Sequence, residues 1–242
     1  MGVAVFGVTS RIGREVALRF AEAGKPVWVG ARDLGEATRV AEDIAVRTGQ
    51  LAVAGTFDAR DVESHPALLD VIEAAVGPLT EVLIAFGDMG DEGRRDPAML
   101  RRVFEVNYLG AASLAEQSAE RMTTRKSGVV AALGSVAGDR GRQSNYAYGS
   151  AKGALALYLQ GLRNRVFAEG VHVCTIKLGF IDTRMTWGLE TKIPVATPEG
   201  ASRAIVAAMD ARTDELYWPP FWRGVMGVIK AIPEVGFKRL KL

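Results

Sequence analysis

The chain has 242 residues, of which 48% are apolar and 24% are charged, and this composition excludes a disordered or low-complexity protein. The 30 basic residues nearly balance the 28 acidic ones, so nucleic acid is not expected as a partner. The single cysteine, Cys174, excludes an internal disulfide and suits a reducing cytoplasm. His65 and His172 lie far apart in the chain, and we expect no transition-metal site.

Short apolar runs alternate with helical patterns along the whole chain. The first run is Val3–Phe6, and since no charged leader precedes it we expect no secretory signal. The chain has no run of 18 apolar residues, so no membrane-spanning helix is expected. The further strand-length runs are Val27–Val29, Leu51–Phe57, Val82–Phe86, Gly128–Leu133, Val171–Ile176 and Leu216–Trp218. The helical patterns are Ile12–Phe20, Glu36–Thr48, Pro66–Ala75, Pro97–Thr124, Tyr146–Glu169 and Pro198–Ala211.

This alternation predicts one α/β domain over residues 1–242. Continuously apolar strands separated by helices indicate a doubly wound parallel sheet, here of about seven strands, with helices on both faces. The sequence contains no solenoid-type repeat and no linker rich in proline and serine. In such sheets ligands bind at the carboxyl ends of the strands, so we expect the loops there to hold the chemistry.

The first of these loops is the glycine-rich turn Gly7–Gly13. Gly7 would allow a tight turn, Gly13 would let the helix approach the sheet, and the N–H groups at the start of the helix would face an anion. Since the chain has 27 glycines, an ordinary turn is the alternative, but a strand before and a helix after favour a nucleotide site. Arg11 stands where a further glycine is usual, and it could lie near a phosphate or point into solvent.

The ends of the second and third strands carry charged residues that bear on the choice of cofactor. Arg32 follows Ala31 where an acidic residue would favour NAD, and an arginine accommodates the 2′-phosphate of NADP. A solvated arginine is the alternative, and the neighbouring Asp33 weakens the inference. Asp58 could accept a hydrogen bond from the adenine amino group or stabilise a turn.

The most specific local pattern is Tyr148 followed four residues later by Lys152. On a helix this spacing places both side chains on one face about 6 Å apart, where the ammonium would lower the phenol pKa from its usual value of about 10. Ser135 comes near the end of the preceding strand. Its hydroxyl could bond the same substrate oxygen that the tyrosine protonates, or it could cap a turn.

Together these motifs resemble the short-chain dehydrogenases/reductases over essentially the whole chain. Asn107, Ser135, Tyr148 and Lys152 match the family's catalytic set. By this resemblance Asn107 would bend a long helix and hold a water linked to Lys152. The resemblance implies an oxidoreductase that acts on a carbonyl substrate with a nicotinamide cofactor, and Arg32 favours NADP(H) over NAD(H) as that cofactor. It also implies a homodimer or homotetramer.

The cofactor site follows from the same motifs. Ile181 and Thr183 would hold the nicotinamide carboxamide by resemblance. The chain departs from the family pattern at Arg11, at Gly134 in place of a serine, at Leu178 in place of a proline, and at Ile84–Gly87. The residues expected to bind the cofactor are Gly7, Ser10, Arg11, Ile12, Gly13, Arg32, Asp58, Ala85, Gly87, Tyr148, Lys152, Gly179, Ile181 and Thr183.

Several local strings resemble one branch of the family, the reductases of decaprenylphosphoryl 2-keto-pentofuranose. This resemblance implies a lipid-linked keto-sugar as substrate, with a generic ketone or 3-oxoacyl substrate as the alternative. A cofactor-binding scaffold without turnover is the alternative from another class, and the complete catalytic set argues against it. The strings are Ser64–Pro66, Ile84–Gly87, Asn107–Tyr108, Ser135–Gly138, Glu215–Pro220 and Ile232–Pro233.

Two segments are expected to act around the substrate. The loop 178–198 carries Met185, Trp187 and Leu189, which would form an apolar substrate wall or pack internally. The tail 219–242 is rich in apolar residues and carries five basic side chains against Glu234, a net charge of +4. Such a segment suits contact with the inner face of a membrane, and packing over the sheet edge or a neighbouring subunit is the alternative.

Three further features are interpreted as structural. The basic pairs Arg94–Arg95 and Arg101–Arg102 are expected to form a solvated face. His65 is expected to lie beside a helix cap, and Cys174 is expected to be a small buried hydrophobe.

Overall fold

The computed structural model describes residues 1–90, 96–184, 186–187 and 193–240. Its described strands form one parallel sheet of seven strands in the order β3-β2-β1-β4-β5-β6-β7. The predicted doubly wound parallel sheet is thereby confirmed. The strands are β1 Gly2–Phe6, β2 Val27–Ala31, β3 Ala52–Thr56, β4 Leu79–Ile84, β5 Gly128–Ser135, β6 Val171–Leu178 and β7 Glu215–Trp218.

Helices cover the two faces of this sheet. Shorter 3-10 helices lie at Val62–Ser64, Val136–Asp139 and Phe167–Glu169. The α-helices are α1 Arg11–Glu22, α2 Leu34–Thr48, α3 His65–Val76, α4 Pro97–Phe104, α5 Ala111–Arg125, α6 Tyr146–Val166, α7 Pro198–Asp210, α8 Phe221–Ala231 and α9 Glu234–Phe237.

The core has two layers because successive residues of a strand point to opposite faces. Val3 and Val5 face the layer that contains buried side chains of α1, α2 and α7. Ala4 and Phe6 face the layer formed with α3, α5 and α6. All five residues of β1 are buried, which explains why this strand reads as a continuous apolar run.

The strand order reverses at β1, which lies between β2 and β4. Connections from neighbouring strands therefore leave in opposite directions, and a crevice opens at the carboxyl ends of β1 and β4. The Gly7–Gly13 turn and the segment that follows β4 border this crevice.

Most predicted elements differ from the observed ones by one to three residues at their ends, and two differences have a clear structural reason. Strand β4 begins at Leu79 rather than Val82, because Leu79 and the polar Glu81 pair with β1, with a register irregularity between them. Glu81 forms an ion pair with Lys25 at 2.8 Å, so its charge is compensated. The predicted helix Pro97–Thr124 is interrupted by a π-helical turn at Glu105–Gly110.

The tail after β7 forms α8 and α9, which pack against the chain itself. Trp222 and Met226 are buried in a small apolar cluster with Val136 and Tyr217. Phe237 lies under the guanidinium of Arg140, 4.2 Å from its ring centroid. Packing of the tail over the edge of the sheet is thus observed. None of the described helices is both long and apolar enough to cross a bilayer.

Candidate active site

A cavity of about 540 Å³ lies at the carboxyl ends of the strands, where the sheet topology predicts a ligand. Its volume lies within the range of small-molecule and cofactor sites. Of the predicted site residues, all of which are described, only Gly13 and Asn107 lie outside its lining. The lining includes Gly7, Ser10, Arg11, Ile12, Arg32, Asp58, Ala85, Gly87, Ser135, Tyr148, Lys152, Gly179, Ile181 and Thr183.

The glycine-rich turn forms a cradle at one end of the cavity. Gly7 has a φ of +98°, and a Cβ there would lie 2.8 Å from the backbone nitrogen of Phe86. A Cβ on Gly13 would lie 2.9 Å from the Gly7 carbonyl oxygen, so Gly13 permits the close approach of α1 to β1. The first turn of α1 holds no acidic side chain, and its N–H groups can bind the diphosphate of a dinucleotide.

Arg11 pairs with a residue that the sequence did not indicate. Its guanidinium lies 2.6 Å from the carboxylate of Glu199, in the first turn of α7, and both side chains are partly exposed. The arginine therefore borders the cavity as part of an ion pair, which neither sequence interpretation anticipated. This pair joins the glycine-rich turn to the helix that follows the substrate loop.

The two carboxylates that the sequence places near Arg32, Asp33 and Asp58, are both engaged by other groups. Asp33 caps α2 by accepting a hydrogen bond from the backbone of Glu36 at 3.1 Å. Asp58 accepts hydrogen bonds from the backbone and the guanidinium of Arg60, both at 3.0 Å. Asp58 thus stabilises its turn, as one interpretation held, and Arg32 lines the cavity beside it.

Ser135, Tyr148 and Lys152 come together at the other end of the cavity. Ser135 ends β5, and its hydroxyl accepts a hydrogen bond from the backbone of Ala137 at 3.1 Å. The same hydroxyl lies close enough to the phenol of Tyr148 to favour a lower pKa of that phenol. Lys152 lies one turn further along α6, with its ammonium 5.9 Å from the ring centroid of Tyr148. The ammonium donates to the carbonyl oxygen of Leu133 at 2.7 Å.

Asn107 is fully buried in the π-helical turn, just behind the cavity wall. Its amide donates to the carbonyl oxygens of Val103 and Asp88, at 2.9 and 2.6 Å, and accepts from the backbone of Asp88 at 3.1 Å. A Cβ on Gly87 would lie 3.0 Å from the Asn107 oxygen and 3.5 Å from the Lys152 ammonium. Gly87 therefore leaves open the space between these two groups.

The substrate loop borders the cavity through its first residues. Ile181 pairs with Ala196 in an isolated parallel bridge, and the Thr186 hydroxyl donates to the carbonyl oxygen of Ile181. Trp187 is 87% exposed, so it packs against little of the described chain. Met185 and Leu189, the other two apolar residues predicted for this wall, lie outside the described residues.

Comparison with known proteins identifies the family. The family model for short chain dehydrogenase matches residues 2–194. The chain belongs to this family. It is 32% identical over 247 residues to an uncharacterized oxidoreductase of Mycobacterium tuberculosis, covering 98% of this chain and 96% of the relative.

Two solved structures share the fold of this family member. An actinorhodin polyketide ketoreductase with NADPH gives a TM-score of 0.79 at 22% identity, covering 90% of this chain and 95% of that one. A 7α-hydroxysteroid dehydrogenase, complexed with NADH and 7-oxo glycochenodeoxycholic acid, gives 0.83 at 22% identity, covering 90% and 92%. The chain is thus an oxidoreductase of the short-chain dehydrogenase family, whose fold binds nicotinamide cofactors.

Burial controls the electrostatics of Tyr148 and Lys152, the two ionisable residues of α6 that line the cavity. It raises the pKa of Tyr148 to about 12, and the nearby Ser135 hydroxyl acts in the opposite direction. Burial also lowers the pKa of Lys152 to about 8. The expected lowering of the Tyr148 pKa by Lys152 is absent, since the ammonium is directed to the Leu133 carbonyl. Tyr148 therefore carries its proton at neutral pH.

Sequence reasoning missed several residues of the cavity wall. Asp88, which follows Gly87, lines the cavity and pairs with Arg102 at 2.8 Å. Arg101 and Arg102 are both exposed, as expected for a solvated face, and Arg94 and Arg95 lie outside the described residues. Arg184 also lines the cavity. The sequence signal for Asp88 was its place shortly after the end of a strand, but it belongs to no motif that would have indicated a site residue.

The other residues that the sequence assigned to structure are buried. Cys174 is fully buried, as predicted, and burial raises the pKa of its thiol to about 12. His65 is also fully buried, and its Nδ1 lies 2.9 Å from the Ser113 hydroxyl. The described residues contain no group of three or more acidic, histidine or cysteine side chains that could hold a metal ion.

The lowered pKa of Lys152 makes stability depend on pH. Between the folded value of about 8 and the ordinary value of 10.5 the unfolded chain binds more protons, so stability rises with pH across this window. Lys152→Met removes this titration. The difference in unfolding free energy, wild type minus variant, should therefore increase by about 2 kcal/mol between about pH 7 and about pH 9.5.

Urea unfolding of both proteins at the two pH values measures this gain. All other titrations are shared by the two proteins and cancel in the difference. A difference between the proteins that is independent of pH would show that the Lys152 ammonium is not desolvated.

Proposed function

We propose that this protein is an NADPH-dependent reductase of a ketone and that Tyr148 protonates the carbonyl oxygen. The observation that carries this proposal is a buried phenol that keeps its proton and lies with Ser135 in the wall of a cavity that has a glycine-rich cradle. When bound, the nicotinamide supplies the hydride. Reduction of a ketone also requires a proton for the carbonyl oxygen. A proton donor beside a hydroxyl that binds this oxygen can supply it.

Each residue of the catalytic set has a distinct part in this proposal. Ser135 orients the carbonyl oxygen, and Tyr148 donates its proton to that oxygen. Lys152 holds the nicotinamide ribose and, when its ammonium turns from Leu133 toward the phenol, favours the phenolate left after proton transfer. Asn107 fixes the segment after β4 and holds a water on the path to Lys152.

Replacement of Tyr148 tests the proton donor. Tyr148→Phe removes the acid without emptying the space, so turnover should fall by about 10²–10⁴-fold while NADPH affinity stays close to wild type. Steady-state ketone reduction and a fluorescence titration with NADPH measure the two quantities.

Tyr146→Phe is the matched control, since Tyr146 lies two residues earlier on α6 and is 49% exposed. It should behave as wild type. Undiminished turnover in Tyr148→Phe would remove this residue from the mechanism.

The preference for NADPH rests on the charges at the adenosine end of the cavity. Arg32 is exposed at the cavity wall, while Asp33 is engaged as a helix cap and Asp58 is engaged by Arg60. The hydrogen bond from Arg60 holds the pKa of Asp58 below its usual value, and Arg32 adds to this lowering. A 2′-phosphate beside Arg32 would meet a guanidinium that is free to bind it.

Arg32→Ala should weaken NADPH binding by about 10- to 150-fold and leave NADH binding nearly unchanged. Titration of both reduced cofactors measures the effect. Arg47→Ala is the control, because Arg47 is an exposed arginine near the far end of α2. Equal affinity of the wild type for the two cofactors would contradict the assignment.

The substrate class is proposed from the resemblance to reductases of lipid-linked keto-sugars. The exposed apolar residues around the substrate loop, such as Trp187 and Val195, support a substrate with a large apolar part. NADPH oxidation against lipid-linked keto-sugars, free keto-sugars and 3-oxoacyl thioesters separates this class from the alternatives. Family members are often oligomeric, and a homodimer or homotetramer is proposed on that basis.

A cytoplasmic protein with peripheral contact to an anionic membrane is the proposed location. Helix α8 buries Trp222 and Met226, but the adjoining side of its apolar surface is open, with Phe221 42% and Val228 68% exposed. Lipid headgroups of negative charge would complement the basic side chains of this tail. Those exposed basic residues within the described chain are Arg223, Lys230, Lys238 and Arg239.

The double variant Phe221→Ser and Val228→Ser should lower the partition onto anionic vesicles by at least about tenfold, because it removes two apolar side chains from the lipid contact. Co-sedimentation of the full chain at low salt measures the partition. Leu157→Ser, which changes an exposed leucine on α6, is the control. Wild-type protein that stays in the supernatant would contradict membrane contact.

A further inference from the structure

A buried polar cluster lies beside the active site without lining its cavity. It consists of Lys177 on β6, Glu215 and Tyr217 on β7, and Asp139, and we call it the Lys177 cluster. The Lys177 ammonium lies 2.8 Å from Asp139 and 2.6 Å from Glu215. The Tyr217 hydroxyl donates to Asp139 at 2.6 Å and accepts from Lys177 at 3.2 Å.

The members of this cluster are held away from water to different degrees. The side chains of Lys177 and Asp139 are 10% and 4% exposed, whereas that of Glu215 is 34% exposed. Burial by itself would lower the pKa of Lys177, but its hydrogen bonds to Asp139 and Glu215 raise the pKa above the usual value. Lys177 therefore stays charged, and water competes little for its contact with Asp139.

Asp139 connects this cluster to the residues around the carbonyl site. It ends the 3-10 helix Val136–Asp139, which begins directly after Ser135. The Ser135 hydroxyl caps this short helix at the backbone of Ala137. Of the cluster, only Asp139 belongs to this segment, since the other three residues lie on β6 and on the edge strand β7.

The opposite side of the 3-10 helix is pressed against α6. A Cβ on Gly149 would lie 2.7 Å from the Ala137 carbonyl oxygen, and one on Gly153 would lie 2.8 Å from that of Gly138. Gly149 and Gly153 directly follow Tyr148 and Lys152 in the chain. The 3-10 helix is therefore enclosed between the Lys177 cluster and the turns of α6 that carry the proposed catalytic pair.

We propose that Asp139 is a positioning residue: its bonds to Lys177 and Tyr217 hold the 3-10 helix so that the Ser135 hydroxyl stays beside the Tyr148 phenol. This inference rests on the proposed ketone reduction. Ser135 has to meet the same oxygen that Tyr148 protonates, so a small displacement of the segment separates the two hydroxyls. A misplacement of about 1 Å by a residue away from the chemistry can cost about 10²-fold in rate.

Two carboxylates of the cluster allow a matched comparison. Asp139→Asn and Glu215→Gln each remove one negative partner of Lys177, but only the first change affects the segment next to Ser135. Asp139→Asn should lower kcat by about 10²-fold, with the KM for the ketone and the Kd for NADPH close to wild type. Glu215→Gln should keep a kcat close to wild type, since its carboxylate is partly hydrated and remote from Ser135.

Amide hydrogen exchange of residues 136–139 gives a second readout that needs no substrate. Exchange should be faster in Asp139→Asn and unchanged in Glu215→Gln. If Asp139→Asn does not fold, Tyr217→Phe replaces it, because this change removes only the hydroxyl that donates to Asp139. Tyr217→Phe should also lower kcat, by a smaller factor than Asp139→Asn.

The outcomes separate this inference from the proposed function. A wild-type protein that binds NADPH but reduces no ketone contradicts the proposed function. In that case amide exchange still tests the positioning role, which is overturned if exchange in Asp139→Asn is unchanged. If the wild type reduces a ketone, the positioning role is overturned by an unchanged kcat in Asp139→Asn. An equal loss of kcat in Asp139→Asn and Glu215→Gln overturns it as well, since the effect would then come from the charge of Lys177 alone.

Discussion

Helices bury both faces of the seven-stranded sheet, and this burial determines where polar chemistry can lie. Side chains along β1, β4 and β5 are almost entirely enclosed, so charged and hydroxyl groups can reach solvent or ligand only beyond the strand ends. The reversal of strand order at β1 then opens a crevice at one edge of the sheet. The glycine-rich turn, Arg32 and Ser135 all follow or end strands that meet at this edge.

The same burial sets the protonation of the proposed catalytic pair. Removal from water disfavours both charged forms, so the pKa of Tyr148 moves up and that of Lys152 moves down. The two shifts leave a phenol that holds its proton and an ammonium that titrates near neutral pH. A protonated Tyr148 suits the reduction of a carbonyl, whereas oxidation of an alcohol would start from the phenolate.

Two departures from the family pattern, Arg11 and Gly134, acquire a structural explanation. Arg11 pairs with Glu199 and joins the cofactor turn to α7. A Cβ on Gly134 would contact the carbonyl oxygen of Ile176 at 3.2 Å and would lie 3.9 Å from the side chain of Lys177, so the absent side chain leaves room where β6 passes. The tail packs Trp222 onto Gly179, where a Cβ would lie 1.9 Å from the indole nitrogen. The wall of the cavity therefore packs directly against strand β6 and against the tail.

The sequence by itself determined the fold class and most residues of the candidate site, because both depend on local patterns. Apolar runs and helical periods specify a parallel sheet covered on both faces, and the spacing of Tyr148 and Lys152 specifies one face of one helix. Tertiary structure alone decided the partners of charged residues. Glu199 meets Arg11 across 188 positions of the chain, and Asp139 meets Tyr217 across 78. It also decided the pKa of Tyr148, since desolvation depends on everything packed around a group, which spacing along the chain cannot express.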